Sequence, residues 1–122
     1  MIIYNTTFHI DGERHVARFL TYLRDSYYPA VTSHDAVRNP RIIRIVTSVG
    51  EDTFAYALMF EAESIRDLKR WKSEVGQKAE ADLHAHFGQK VLAFSTLMKD
   101  VTTQVNKAPE DAAEDETDER NA

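Results

Sequence analysis

The sequence predicts an α+β fold in the order strand, helix, strand, strand, helix, strand. Three observations predict it. The stretch Phe54–Phe60 is seven uncharged, mostly apolar residues between Glu51-Asp52 and Glu61, the length and composition of a strand with both faces covered. Ile2 to Ile10 alternates regularly, with Ile2, Tyr4, Thr6, Phe8 and Ile10 on one face and Ile3, Asn5, Thr7 and His9 on the other. Two segments with helical spacing follow these strands, one after each.

After the first strand, Asp11-Gly12-Glu13 offers an N-cap and an acidic first turn. Val16, Phe19, Leu20, Leu23 and Tyr27 then recur at helical spacing, and Pro29 is expected to limit the helix because it disfavours helical geometry at Tyr28. Residues 29–40, bounded by Pro29 and Pro40, read as an irregular connection.

Arg41 to Val49 reads as a second strand, and Gly50-Glu51 matches the Gly-X of a type II′ hairpin. Counted from that turn, Val49 pairs with Asp52, Ile45 with Tyr56 and Ile43 with Leu58, which sets Arg44 beside Ala57 on the opposite face. Ser64-Ile-Arg-Asp67 resembles a capping box and opens the second helix. Its inward stripe is Ile65, Leu68, Trp71, Lys72 and Val75; Gly76 is expected to break or bend it. Ala79, Leu83, His86 and Phe87 continue the spacing to Gly88, a C-terminal cap, and Lys90 to Met98 is the last strand.

This order is the split βαβ arrangement of ferredoxin-like folds: a four-stranded antiparallel sheet with both helices on one face. The other face is expected to expose Ile3, Ala55, Ala57, Met59, Ile42, Val46, Val91 and Leu97. That is too much contiguous apolar surface for a monomer, so the expected partner is a second copy, the two sheets pressed together in a homodimer.

The 122 residues suit one domain, expected over 1–105, followed by an acidic disordered tail over 106–122. Seven of the twenty acids but only two of the fifteen bases lie in the tail, so the body is balanced at thirteen of each. A neutral body gives no electrostatic footprint for nucleic acid or an anionic membrane. Cysteine is absent, which excludes disulfides and thiolate chemistry. With neither a leader-like start nor a membrane-length apolar run, a cytoplasmic protein is the expectation.

The opening Met1-Ile-Ile-Tyr-Asn-Thr-Thr7, the strand Arg41-Ile-Ile-Arg44 and the closing His86-Phe-Gly-Gln-Lys-Val-Leu-Ala-Phe94-Ser-Thr-Leu97 resemble the small bacterial DUF4286 family over about residues 1–100. The resemblance implies a ferredoxin-like domain of the dimeric α+β barrel type and no assigned activity. It also implies a histidine two positions before the helix-ending proline and an arginine midway along the last strand. This chain has Tyr27 and Ser95 there, so no role resting on those two side chains carries over.

Candidate ligand-contacting residues are Asn5, His9 and Arg44, with Tyr4, Tyr56 and His86. His9 shares a polar strand face with Asn5 and Thr7, and Arg44 is expected to join them as the charge partner of an anionic or carbonyl-bearing ligand, with His9 as acid or base. The structural alternative is a set of hydrogen bonds across the dimer. His84 and His86 diverge by about 160° around a helix and cannot chelate one ion; His86 borders the apolar stripe and is the candidate for a haem or metal role. As i, i+4 partners of Glu80 and Asp82, both histidines are equally readable as helix-surface residues. Tyr4, Tyr56, Phe94 and Trp71 read as core, the alternative being an aromatic pocket of the kind a cofactor-free oxygenase uses. No phosphate loop, nucleophile elbow or metal-binding helix motif is present, so no cofactor is expected and no reaction is selected. The two function classes are thus a homodimeric small-ligand or partner-binding module and a small dimeric-barrel enzyme, a monooxygenase or haem-handling protein.

Overall fold

The computed structural model describes residues 1–46 and 53–105. Four strands, β1 (Ile2–Asp11), β2 (Arg38–Ile45), β3 (Thr53–Ala62) and β4 (Val91–Lys99), form one antiparallel sheet in the order β2-β3-β1-β4. The helices between β1 and β2 and between β3 and β4 cover one face, which is the ferredoxin-like arrangement. The expected fold class is the observed one.

The faces of β1 and β3 follow the alternation. Ile2, Tyr4, Thr6, Phe8 and Ile10 are buried under the helices while the residues between them are half-exposed on the other side. β3 lies between β2 and β1, and Tyr56, Leu58 and Phe60 stand opposite Phe8, Thr6 and Tyr4. Phe8, Phe19, Phe60, Ile10, Leu23, Leu58 and Val31 are the largest fully enclosed side chains. Their rings pack obliquely, Phe8 lying 5.2 Å from Phe19 and edge-on to Tyr27 at 5.4 Å, the arrangement the aromatic quadrupole favours.

The first helical segment runs through Pro29 rather than ending before it. Helix α1 (Val16–Tyr22) passes into a wide π turn (Leu23–Tyr27) and on into α2 (Tyr28–Thr32). The Tyr28 N–H reaches back five residues to the Leu23 carbonyl, and this wider turn accommodates a proline at the start of α2 that a regular helix would reject. Asp11 does not cap the helix: it ends β1, and Gly12, at φ 90°, leads into a short 3₁₀ turn with no side-chain cap.

The connection expected over residues 29–40 is correspondingly shorter, because β2 begins at Arg38. Asn39 sits at φ 49° within a bulge between Arg38 and Arg41, and Pro40 is tolerated there because β2 is an edge strand.

The register of β2 is one residue from that expected. Ile45 faces Ala55, Arg44 faces Tyr56, Ile43 faces Ala57 and Ile42 faces Leu58. The reason is the period of two: the face of β2 was set by counting from the hairpin turn, and a shift of one reverses every side chain. Gly50-Glu51, on which that count rests, and Thr47–Val49 of the expected strand lie outside the described residues. Val46 is described and lies outside β2.

The second helical segment is α3 (Ile65–Trp71), a second π turn (Lys72–Gly76) and α4 (Gln77–Phe87). Ser64 caps α3, its hydroxyl accepting from the Asp67 N–H at 3.1 Å as the sequence suggested. Gly76 widens the helix without ending it. A Cβ there would stand 2.6 Å from the Trp71 ring, which is fixed by its own Nε1–H donating to the Val31 carbonyl at 2.9 Å. Gly88 ends α4 at φ 57°, and a final short helix α5 (Thr102–Val105) follows β4.

Candidate functional site

The open sheet face differs from the expected set in four members. The β2 register brings Ile43 and Ile45 to it in place of Ile42 and Val46, and pairing of β4 with β1 brings Leu92, Phe94 and Met98 in place of Val91 and Leu97. Ile3, Ala55, Ala57 and Met59 are there as expected. Phe94, read as core, is 58% exposed and joins Leu92 at 48% and Ile43 and Ile45 at 38%. Down the middle of this apolar surface runs the β1 column Asn5, Thr7 and His9. Asn5 Nδ2 donates to Thr7 Oγ1 at 2.9 Å, and the His9 ring meets Phe94 edge-on at 5.7 Å.

The structure does not gather the candidate residues into one pocket. Asn5 and His9 share the open face. Arg44 stands opposite Tyr56, on the helix-side face at the exposed β2 edge, so it is not the charge partner of His9. Tyr4 is buried against Phe60 and Trp71 at 5.5 and 5.2 Å, and Tyr56 is half-buried near Phe19 at 6.2 Å. His86 does not face the sheet. It is exposed near the end of α4, stacked on Tyr22 at 4.7 Å, with its carbonyl accepting from Arg18 Nη2 at 3.0 Å. Arg18 also lies over the Phe87 ring at 4.7 Å, so this corner joins α1 to α4. Burial raises the Tyr22 hydroxyl, with nearby Asp82 adding to the effect. Among the described residues no group of three acidic or histidine side chains is placed to hold a metal ion.

Tyr27 is buried under the sheet, and its hydroxyl is hydrogen-bonded to Thr6, which is itself 3.3 Å from Ser95 Oγ. Burial first, then the neighbouring Tyr4, holds the Tyr27 hydroxyl strongly protonated. The trio is a hydrogen-bonded link from helix through β1 to β4, with no charge at its centre.

A groove that sequence reasoning missed lies between α3 and the β4 edge. It measures about 400 Å³ and is lined by Tyr4, Ile65, Leu68, Leu97 and Met98 together with Lys69, Lys72 and Lys99. Ile65, Leu68, Lys69 and Lys72 fall at i, i+3, i+4 and i+7, so one stripe of the second helical segment presents both the apolar wall and two of the cations. Lys99 comes from β4, in register with Ile2 and therefore on the helix side. The available signal was Lys72, a lysine on an inward stripe. A smaller cleft of about 240 Å³ beside His9 is lined by Ile10, Asp11, Gln89 and Leu92.

A four-stranded antiparallel sheet with helices on one face and a bare apolar surface on the other defines the ferredoxin-like class, in the form seen in dimeric α+β barrel proteins. The solved structures agree. A dimeric ferredoxin-like protein from an uncultured marine organism superposes with a TM-score of 0.60 at 10% identity, over 83% of this chain and 95% of its own. An ethyl tert-butyl ether d (EthD) family protein from Bacillus halodurans gives 0.60 at 15% identity, over 79% and 97%. A variant of SnoaB, a cofactor-independent oxygenase from Streptomyces nogalater, gives 0.53 at 9%, over 81% and 91%. Residues 1–101 match the domain of unknown function DUF4286, and the chain belongs to that family. No curated protein matches it. No helix among the described residues is long and apolar enough to cross a membrane.

Proposed function

We propose that the chain is a cytoplasmic homodimeric binding module, two copies joined through their open sheet faces and each keeping a helix–sheet groove for a small ligand. The observation that carries the reading is the apolar face of Ile43, Ile45, Leu92, Phe94 and Met98, each 37–58% exposed on a single surface. Monomers rarely leave such a face to water, and a second copy covers it with the same residues. The dimeric ferredoxin-like protein from the marine organism supports the same use of this fold. In the dimer Asn5, Thr7 and His9 are enclosed between two sheets, where they pair across the two-fold axis or hold a polar ligand.

Native mass spectrometry of the purified protein is expected to give a dimer. Phe94→Asp places a charge on the face of each copy and is expected to give a folded monomer with an unchanged far-ultraviolet spectrum. A wild-type monomer at micromolar concentration would remove the basis of the proposal.

The oxygenase-like neighbour supports the enzyme reading. A cofactor-free oxygenase would place its substrate in the helix–sheet groove, and a haem role would require His86 to leave its stack on Tyr22. Oxygen-dependent turnover that is abolished by changing the groove residues Leu68 or Lys72, with the dimer intact, would favour the enzyme over the module.

A further inference from the structure

We infer that the groove between α3 and β4 binds an apolar molecule that carries a carbonyl oxygen, and that the Tyr4 hydroxyl donates the hydrogen bond that orients it. The inference rests on the ligand-binding half of the proposed function and is independent of the dimer.

Tyr4 is the residue that carries the assignment. It is 5% exposed, its ring packs on Phe60 at 5.5 Å and Trp71 at 5.2 Å, and it lines the groove. Among the described residues its hydroxyl donates to no group. The hydroxyls nearby are taken up with one another, Tyr27 with Thr6 and Thr6 with Ser95. Nor is the Tyr4 hydroxyl sealed in: Gln104 Oε1 is the one enclosed, unbonded side-chain oxygen among the described residues. A phenol that is neither bonded nor sealed opens on the space its residue lines, and that space is the groove.

The walls around that donor are apolar. Leu68 is 4% exposed, with Ile65 beside it. Leu97 faces the helix layer, since it pairs with Tyr4, yet it is 47% exposed. An edge-strand leucine left half bare on the helix side is surface that an apolar ligand would cover. A water on the Tyr4 hydroxyl finds no further polar partner on these three side chains, so it is loosely held and readily displaced by a ligand oxygen. The volume of about 400 Å³ is at the small end for ligand sites and suits a single ring system.

The ligand oxygen is assigned as a carbonyl because a phenol O–H needs an acceptor. A carbonyl supplies one without bringing a donor of its own that the apolar walls would leave unpaired. The rim does not set the ligand's charge. Lys69 and Lys99 are engaged in interactions of their own, and the ligand is defined by the donor and the apolar walls alone.

Acetophenone and ethylbenzene, which differ by one carbonyl, titrated into the full-length wild type and Tyr4→Phe and followed by amide chemical shifts, test the assignment. Both probes are expected to bind the wild type and to perturb Leu68 and Leu97. Tyr4→Phe removes only the hydroxyl. It is expected to weaken acetophenone about three- to ten-fold, the worth of one hydrogen bond, and to leave ethylbenzene binding and the denaturation midpoint unchanged. Comparing each probe with itself across the two proteins cancels their different hydration. Acetophenone binding indifferent to Tyr4→Phe, or both probes weakened alike, would overturn the proposal. A less stable Tyr4→Phe protein would overturn it too, since the hydroxyl would then have a structural partner. So would shifts at Phe94 and Ile43 in place of Leu68 and Leu97, which would put the ligand on the open sheet. Probes that bind at Leu68 without dependence on Tyr4 reject the carbonyl and keep the groove, whereas a groove that takes neither probe rejects both. Native mass spectra of the same samples separate the remaining claim, because a monomer that keeps the Tyr4 dependence rejects the dimer alone.

Discussion

Single residues decide more of this fold than composition suggests, and Gly76 is the clearest case. Its φ of −61° is ordinary helix, so conformational freedom does not explain the glycine. The absent Cβ does, because the Trp71 ring occupies that space at 2.6 Å while its indole N–H is held by Val31. Gly76→Ala is therefore expected to destabilise the protein by about 1–3 kcal/mol, the usual range for overpacking a core that cannot yield. Chemical denaturation would measure it, and a change near zero would mean that Trp71 has room to move. The sequence made Gly76 visible as an interruption but concealed its cause, since a contact five residues back on a widened helix has no signature in spacing. Ser64 is the opposite case. A cap depends only on residues within one turn, and its bond to Asp67 was legible from four letters. Phe94 was misread for a third reason: an aromatic suits a buried and an open strand face equally well, and identity alone does not choose between them.

Whole elements were legible where one face is buried and less so where it is not. β1 and β3 carry unambiguous alternation and pair as their patterns require. β2 is an edge strand with exposed isoleucines on both faces, so nothing in its own pattern corrected a one-residue error in the turn. The error reached the candidate site directly, because the parity of β2 decides whether Arg44 joins His9 or Tyr56. The loop leading into β2 is held by charge instead. Arg70 of α3 makes two parallel bonds to Asp35, at 2.9 and 3.0 Å. Beside it, His34 Nδ1 accepts from the Ala36 N–H at 3.1 Å and Nε2 lies 2.8 Å from Glu74. The Arg70 hydrogen bonds hold the Asp35 carboxyl below the ordinary aspartate range. A depressed folded pKa contributes stability that is complete above the unfolded value, about 3.9, and is lost as pH falls through the lower folded value. Asp35→Asn is accordingly expected to lower the denaturation midpoint at about pH 7 and to converge with wild type towards about pH 2. A difference that persisted unchanged in acid would show that Asp35 acts through its packing and not its charge.

At the scale of the molecule, charge and apolar surface are separated along the chain. The thirteen acids and thirteen bases before residue 106 make a neutral body, while the following seventeen residues hold all of the net charge of −5. The apolar residues that need covering lie on the open sheet face and in the α3–β4 groove, and all belong to that neutral body. In the proposed dimer two neutral bodies would meet without charge repulsion, and the acidic segment is expected to keep molecules apart in solution. That division of labour predicts that the body folds and pairs without the segment. Truncation after Val105 should leave both the melting temperature and the dimer mass-to-subunit ratio unchanged, while lowering solubility near the isoelectric point of the body. A large fall in melting temperature would place residues 106–122 inside the cooperative unit and move the domain boundary. A loss of the dimer with folding intact would instead make the segment part of the interface, which two matched apolar faces do not require.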